Sequence, residues 1–156
     1  MDDSKTLTLR KANKNDEKLI FNWVNDTSVR RWSFNNKKIS LDEHKVWLQQ
    51  KLADKSILIW ILEVSKMPAG MVRLKKERNH IVLSYLISRQ SEGRGLGSKI
   101  LKMVMIELNN YWEKIDVLAY TLPENIASMK SLEKAGFSLY STSNGKNCYV
   151  FKRDKK

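Results

Sequence analysis

Apolar and polar positions alternate from Leu7 to Ala12 (LTLRKA), as in a half-buried strand. The period then lengthens. Leu19, Ile20, Trp23 and Val24 share one face of a helix that starts near Asn15 or Asp16. A second helix starts after Ser40, three residues before Glu43, which is the spacing of a capping box. Leu41, His44, Trp47 and Leu48 share one face of it. SILIWILEV is a β-rich apolar run and reads as a buried strand. MPAG reads as a turn, and GMVRLKK and HIVLSYLIS read as two further strands.

Beyond a glycine-rich stretch, Ile100, Leu101, Val104, Met105 and Leu108 recur at helical spacing. KIDVLAYTL reads as a strand, and ENIASMKSLEKAG as a helix closed by Gly136 in a left-handed C-cap. FSLYSTS and NCYVFKRD flank Asn144-Gly145, a strong hairpin signal. The order is therefore β-α-α-β-β-β-α-β-α-β-β. No internal repeat, low-complexity segment or linker interrupts it. This predicts one α/β domain over residues 1–156, with a mixed central sheet and helices on both faces.

The 156 residues are 42% hydrophobic and 29% charged, a balance that suits a folded globular chain rather than a disordered one. The first residues are acidic and polar, without the basic start and apolar core of a signal peptide. The longest apolar run, Ile57 to Leu62, is too short to span a bilayer. The single cysteine, Cys148, has no partner for an internal disulfide and no metal-ligand cluster around it. The expectation is a cytoplasmic protein with no metal and no membrane association. The net charge of +12 favours anionic partners, among them nucleic acid, phosphate-bearing cofactors and nucleotide sugars. The charges are spread along the chain. The KRDKK tail reads as a frayed, solvated end.

The glycine-rich stretch, SEGRGLGSKIL, places Gly93, Gly95 and Gly97 between a strand and a helix. A P-loop would need a glycine at position 98, which is serine, and the dinucleotide fingerprint fails in both frames. A strand, a glycine turn and a helix still make an anion site. Backbone N–H groups point into the turn, the helix N-terminus adds partial positive charge, and glycine lets a diphosphate approach. Arg94 would add a fixed charge.

These residues resemble a known family. EGRGLGSKIL is similar to the Q/R-x-x-G-x-G/A motif of the GNAT N-acetyltransferases, with Gly95 and Gly97 on its glycines and Glu92 where Gln or Arg is usual. LPENIASMKSLEKAGF, starting at Leu122, is similar to the family's N-x-x-[AS]-x-x-[LY]-[LY]-E-K-x-G-F helix. The resemblance covers essentially the whole chain. It implies a mostly antiparallel sheet and acetyl-CoA as donor. Residues Gly93, Arg94, Gly95, Leu96, Gly97 and Ser98 would wrap the cofactor diphosphate. Leu86, Ile87 and Ser88 would pair with the pantetheine arm, and Asn125 and Ser128 would line the opposite wall. NWVNDTSVRRWSFNNKKISLDEHKVWL resembles a narrower group, the small sugar N-acetyltransferases that act on UDP-linked amino sugars. Related helices occur in enzymes that acetylate ribosomal-protein N-termini and in polyamine acetyltransferases.

Amide formation requires a proton acceptor for the amine, a donor for the oxyanion and a proton for the leaving thiolate. Two family positions depart from the pattern: the strand glutamate is Val82, and the tyrosine seven residues after Asn125 is Leu132. His44 is the first candidate base or substrate contact, against a structural histidine on the core side of its helix. Tyr85 is the candidate proton donor. Trp32 and Phe34 flank a loop and could stack on a sugar or a uracil, or belong to the core with Trp47. Arg30 and Arg31 could meet a diphosphate or solvent. Asn25 is a candidate substrate contact or, with Asp26, a cap of the first helix. The expected acceptor is a small amine, with a nucleotide-linked amino sugar placed first and a peptide N-terminus second. A non-catalytic nucleic-acid module stands third, motivated by the charge and the two missing groups. Whether the Asn144 hairpin joins two chains into a homodimer stays open.

Overall fold

The computed structural model describes residues 6–34 and 37–153. Parts of the acidic opening, of the NNKK segment and of the tail therefore lie outside the described residues. The expected elements form, together with one short helix that was not expected. In chain order they are β1 (Leu7–Lys11), α1 (Glu17–Asn25), α2 (Thr27–Arg30), α3 (Leu41–Ala53), β2 (Ile57–Val64), β3 (Met67–Lys76) and β4 (His80–Ile87). They continue with α4 (Leu96–Glu107), β5 (Asp116–Thr121), α5 (Ile126–Lys134), β6 (Ser138–Ser143) and β7 (Lys146–Phe151). The strands form one seven-stranded sheet in the order β1-β2-β3-β4-β5-β7-β6. Every neighbouring pair is antiparallel except β4 and β5.

Alternation along β2 divides the core in two. Trp60 and Leu62 join Val72, Leu74, Ile81 and Leu83 against the inner faces of α4 and α5, which supply Ile100, Leu101, Val104 and Leu132. Ile57, Ile59 and Ile61 point the other way, with Met71, onto Ile20 and Trp23 of α1 and Leu48 of α3. Each of these large side chains contributes about 1.5–3 kcal/mol when fully buried. The helices thus cover both faces, but α1 to α3 cover only the β2–β4 half of theirs.

Two local readings are corrected, and one is extended. MPAG is not a turn. The chain turns at Ser65 and Lys66, both with positive φ (49° and 72°), and MPAG already lies in β3. Pro68 cannot donate to a ladder, and it sits beside the bulge at Leu62/Glu63, where the β2–β3 register slips. Asp26 caps α1 as expected, its amide bonded to the Trp23 carbonyl at 3.2 Å, and it is also the N-cap of α2, accepting from the Ser28 amide at 2.9 Å. The tail is anchored at its first residues. Arg153 is 7% exposed and donates to the carbonyl of Glu113 at 2.9 Å and to Asn109 Oδ1 at 2.9 Å. Isolated in sequence among lysines, it locks the α4–β5 connection to the end of β7.

The remaining caps and turns follow the sequence. Ser40 accepts from the Glu43 amide, and the Asn144-Gly145 turn takes positive φ at both residues (55° and 73°). Gly136 ends α5 at φ 102°. Among the described residues no helix is long and apolar enough to cross a membrane, and no group of His, Cys, Asp or Glu could hold a metal ion.

Candidate active site

The parallel pair makes the site. β4 and β5 are paired from His80↔Asp116 to Leu83↔Ala119. Beyond that point β4 runs on to Ile87 and β5 to Thr121 with no register between them. The strands fork, and a cavity of about 930 Å³ opens at the fork. Ligand sites are often found where strand pairing in a sheet is interrupted in this way.

One part of the cavity belongs to α4 and α5. Gly93 and Gly95 hold φ of 79° and 71°, a left-handed conformation that costs other residues roughly 1–2 kcal/mol. Gly95 is the N-cap of α4. The first amides of any helix lack an intrahelical acceptor, so this turn presents donors to the cavity. A Cβ at Gly97 would lie 2.7 Å from Ser131 Oγ, so α4 and α5 approach through that glycine. Gly93, Gly95, Leu96, Gly97, Asn125 and Ser128 all line the cavity. Asn125 Oδ1 accepts from the Ser128 amide at 3.2 Å and so caps α5. The arrangement fits a diphosphate: donors, a helix N-terminus and no side-chain bulk.

Three expected cofactor contacts, Arg94, Ser98 and Ser88, are not among the residues that line the cavity. Arg94 lines a separate shallow recess with Val64 and Met67. Ser98 is buried and donates to the Gly95 carbonyl at 3.3 Å. Ser88 is buried too, and its amide is already bonded to Ala69 O at 2.8 Å. Leu86 and Ile87 do line the cavity, and the β4 edge facing β5 is unpaired there.

Tyr85 projects toward α5. Its hydroxyl lies 3.1 Å from Ser128 Oγ. Burial raises its pKa, while hydrogen bonds to Ser128 and Ser131 oppose the shift. The phenol is thus neutral at physiological pH and able to donate. Leu132, on the same wall, has no hydroxyl to offer. Thr121 was not expected here. It is 4% exposed, lines the cavity, and its Oγ1 is buried without a hydrogen-bond partner. An orphan hydroxyl in a cavity wall is a group left for a ligand.

The other part of the cavity belongs to α2, α3, β3 and the loop after α2. Arg30, Trp32, Phe34 and Trp47 line it, as do Arg73 and Ser84, which sequence reading did not single out. Asn25 does not line it. Its side chain brackets Ile39, donating to the carbonyl at 2.9 Å and accepting from the amide at 2.7 Å. That bracket closes the loop carrying Trp32 and Phe34. Lys146, from the β6–β7 hairpin, stands 4.1 Å above the Phe34 ring. Arg89 bonds Asp26 at 2.9 Å and Thr27 at 2.8 Å, tying the glycine loop's approach to α2.

His44 is not where a base would be needed. It is 1% exposed, outside the cavity lining, and its Nε2–H donates to the Glu17 carbonyl at 2.9 Å. The ring sits near Phe21 and is stacked on Trp47 at 5.8 Å. Burial lowers its pKa, so it is a neutral core histidine joining α3 to α1.

A forked sheet with a glycine turn at a helix N-terminus defines an acyl-CoA-type transferase fold. Residues 6–138 match the family described as acetyltransferase (GNAT) domain, and the chain belongs to that family. It is a GNAT-type acetyltransferase. No curated protein matches it by sequence. Among solved structures, the aminoglycoside acetyltransferase AAC(6')-Ib with coenzyme A and kanamycin superposes with TM-score 0.80 at 21% identity, over 95% of each chain. The spermidine N-acetyltransferase of Vibrio cholerae, with CoA and spermine, gives 0.77 at 16% identity over 92% of each chain. RimL, a ribosomal α-N-protein acetyltransferase with coenzyme A, gives 0.81 at 16%, over 98% of this chain and 97% of that one. At these identities the likeness is one of fold.

Proposed function

We propose that the protein transfers acetyl from acetyl-CoA to the primary amine of a UDP-linked 4-amino sugar. The observation that carries this reading is the division of one cavity. Its α4–α5 part has the amide-rich glycine turn suited to a diphosphate, and its α2–β3 part joins aromatics to arginines. Acetyl-CoA supplies the activated thioester acyl group. The glycine turn and the first turn of α4 bind the cofactor's phosphates. Asn125 shapes the facing wall, and the open edge of Leu86 and Ile87 accepts an extended chain by strand addition. Thr121 Oγ1 is a further donor toward that chain.

Tyr85 holds a proton on its phenol oxygen, next to Ser128, and gives it to the departing thiolate. No carboxylate occupies the α2–β3 part of the lining among the described residues. A carbohydrate amine is less basic than a lysine and needs little help to shed its proton, so solvent serves as the acceptor. Trp32 and Phe34 stack against sugar or base, and Arg30 meets the diphosphate.

The experiment is release of free thiol from acetyl-CoA over UDP-4-amino sugars, free amino sugars, polyamines, aminoglycosides and short peptides. Turnover on the UDP-amino sugar alone supports the reading. Turnover on peptide N-termini instead keeps the donor and replaces the acceptor. Salt-sensitive binding of nucleic acid with no acetyl transfer would overturn both.

A further inference from the structure

Arg73 is opposite Ser84 in the β3–β4 register, so both side chains leave the same face of the sheet. Ser84 is the first β4 residue beyond the last pair with β5, which puts Arg73 one strand from the fork. The Arg73 side chain is partly buried and lines the cavity. Its guanidinium lies 5.4 Å from the centre of the Trp47 ring. No carboxylate stands within ion-pairing distance of it among the described residues, and no hydrogen-bond acceptor either. Burial alone acts on its pKa, lowering it.

Two other arginines with little exposure, Arg10 and Arg153, are held by acceptors. Arg10 holds Asp16 at 2.8 Å and Glu63 at 2.9 Å. Arg153 holds carbonyls and Asn109. The Arg73 guanidinium has no such partner and reaches the cavity's solvent, so its donors are open to an acceptor that enters the cavity. The surroundings of Arg73 have one sign. The charged residues that α2, α3, β3 and the described residues of the α2–α3 loop give to the cavity are Arg30, Arg31 and Arg73. The cavity's two carboxylates are elsewhere, Glu92 in the glycine turn and Glu124 in the β5–α5 loop.

We infer that Arg73 is a second anion-binding residue of the acceptor pocket, alongside Arg30, and that the acceptor amine carries a phosphate or carboxylate group. The inference deepens the acetyltransferase reading and rests on it. A planar guanidinium takes such an anion through two parallel hydrogen bonds, and a cation–π contact holds it over Trp47. The same field repels polycations, so this pocket rejects aminoglycosides and polyamines despite the shared fold.

The test is calorimetric titration of inorganic pyrophosphate into the protein saturated with CoA, which blocks the cofactor's own phosphate sites. Saturable binding at one site is expected in the wild type. In Arg73→Met it weakens at least tenfold, while CoA affinity stays within twofold. Arg73→Lys keeps the charge but loses the two-point geometry, so it falls between the two and serves if the methionine variant does not fold. A kinetic arm compares an amino-sugar phosphate, the matching uronate and the neutral methyl glycoside, which separates phosphate from carboxylate. Pyrophosphate binding unchanged in Arg73→Met, absent in the wild type, or lost together with CoA affinity would overturn the inference. If UDP-amino sugars fail as substrates while Arg73-dependent binding persists, the sugar-nucleotide reading falls and the anion site stands. If Arg73→Met turns over the UDP-amino sugar as well as the wild type does, the reverse holds.

Discussion

The hydroxyl of Tyr85 lies 3.1 Å from that of Ser128, and this pair bridges the fork from β4 to α5. It puts a half-buried phenol into the cavity wall beside α5, where Leu132 has only hydrocarbon. Removing it tests the assigned proton donor. Tyr85→Phe lowers kcat by about 100-fold, within the usual range for a lost general acid. CoA affinity changes little. Because burial raises the Tyr85 pKa, the wild type keeps its donor protonated to higher pH than a free tyrosine would. The basic limb of the kcat profile that reports this proton disappears in the variant.

His44→Gln separates a core histidine from a base. The pH dependence of kcat/KM is unchanged, since Nε2 is bonded to the Glu17 carbonyl and the ring is outside the cavity. Thermal stability falls, because the α1–α3 bond and its ring stacking are lost. The folded pKa is lowered, so the neutral ring's stabilisation is fully present above the unfolded value, about 6.5, and fades as pH falls below it. Thermal midpoints of wild type and variant therefore converge in acid.

Asp16, in the turn before α1, is tied to β1 through Arg10, which also reaches Glu63 of β2. Its carboxylate is buried, and the Arg10 hydrogen bond, followed by the Asn13 amide bond, holds its pKa below the usual aspartate range. Asp16→Asn costs about 1–3 kcal/mol at neutral pH, as expected for a buried group that loses its partner. The stabilisation is complete above the unfolded value, about 3.9, and is lost as pH falls through the lower folded value. Urea midpoints measured from pH 7 to pH 3 should narrow the gap between the two proteins only at the acid end.

Gly70 shows why β3 lies close to β4 at the fork. A Cβ there would stand 2.6 Å from the Leu86 carbonyl oxygen, which is backbone and cannot swing aside. Gly70→Ala forces the strands apart and costs about 1–3 kcal/mol by denaturant titration. It also weakens CoA binding, because Leu86 and Ile87 carry the open edge.

The element order was legible because two periodicities, 2 and 3.6, alternate cleanly along the chain, and because Ser40, Gly136 and Asn144-Gly145 mark their own caps and turns. The glycine turn was legible because its residue type is forced by backbone conformation. Arg73, Thr121 and Ser84 were not, since a polar residue within a strand gives no sign of which cavity it faces until β4 and β5 part. His44 stayed open between a base and a core histidine for the converse reason. Its helical spacing allowed both, and only the fold shows that its ring meets α1 while Trp47 reaches the cavity. Arg153 was hidden by its lysine neighbours, which share its charge and not its burial.

The most direct measurement is kcat/KM for acetyl transfer to a UDP-4-amino sugar, set against kanamycin, spermine and a free-N-terminal peptide under the same acetyl-CoA saturation. The account predicts turnover of the anionic sugar amine with the polycations at least tenfold poorer. Efficient acetylation of kanamycin or spermine, with none of the UDP-amino sugar, would contradict it.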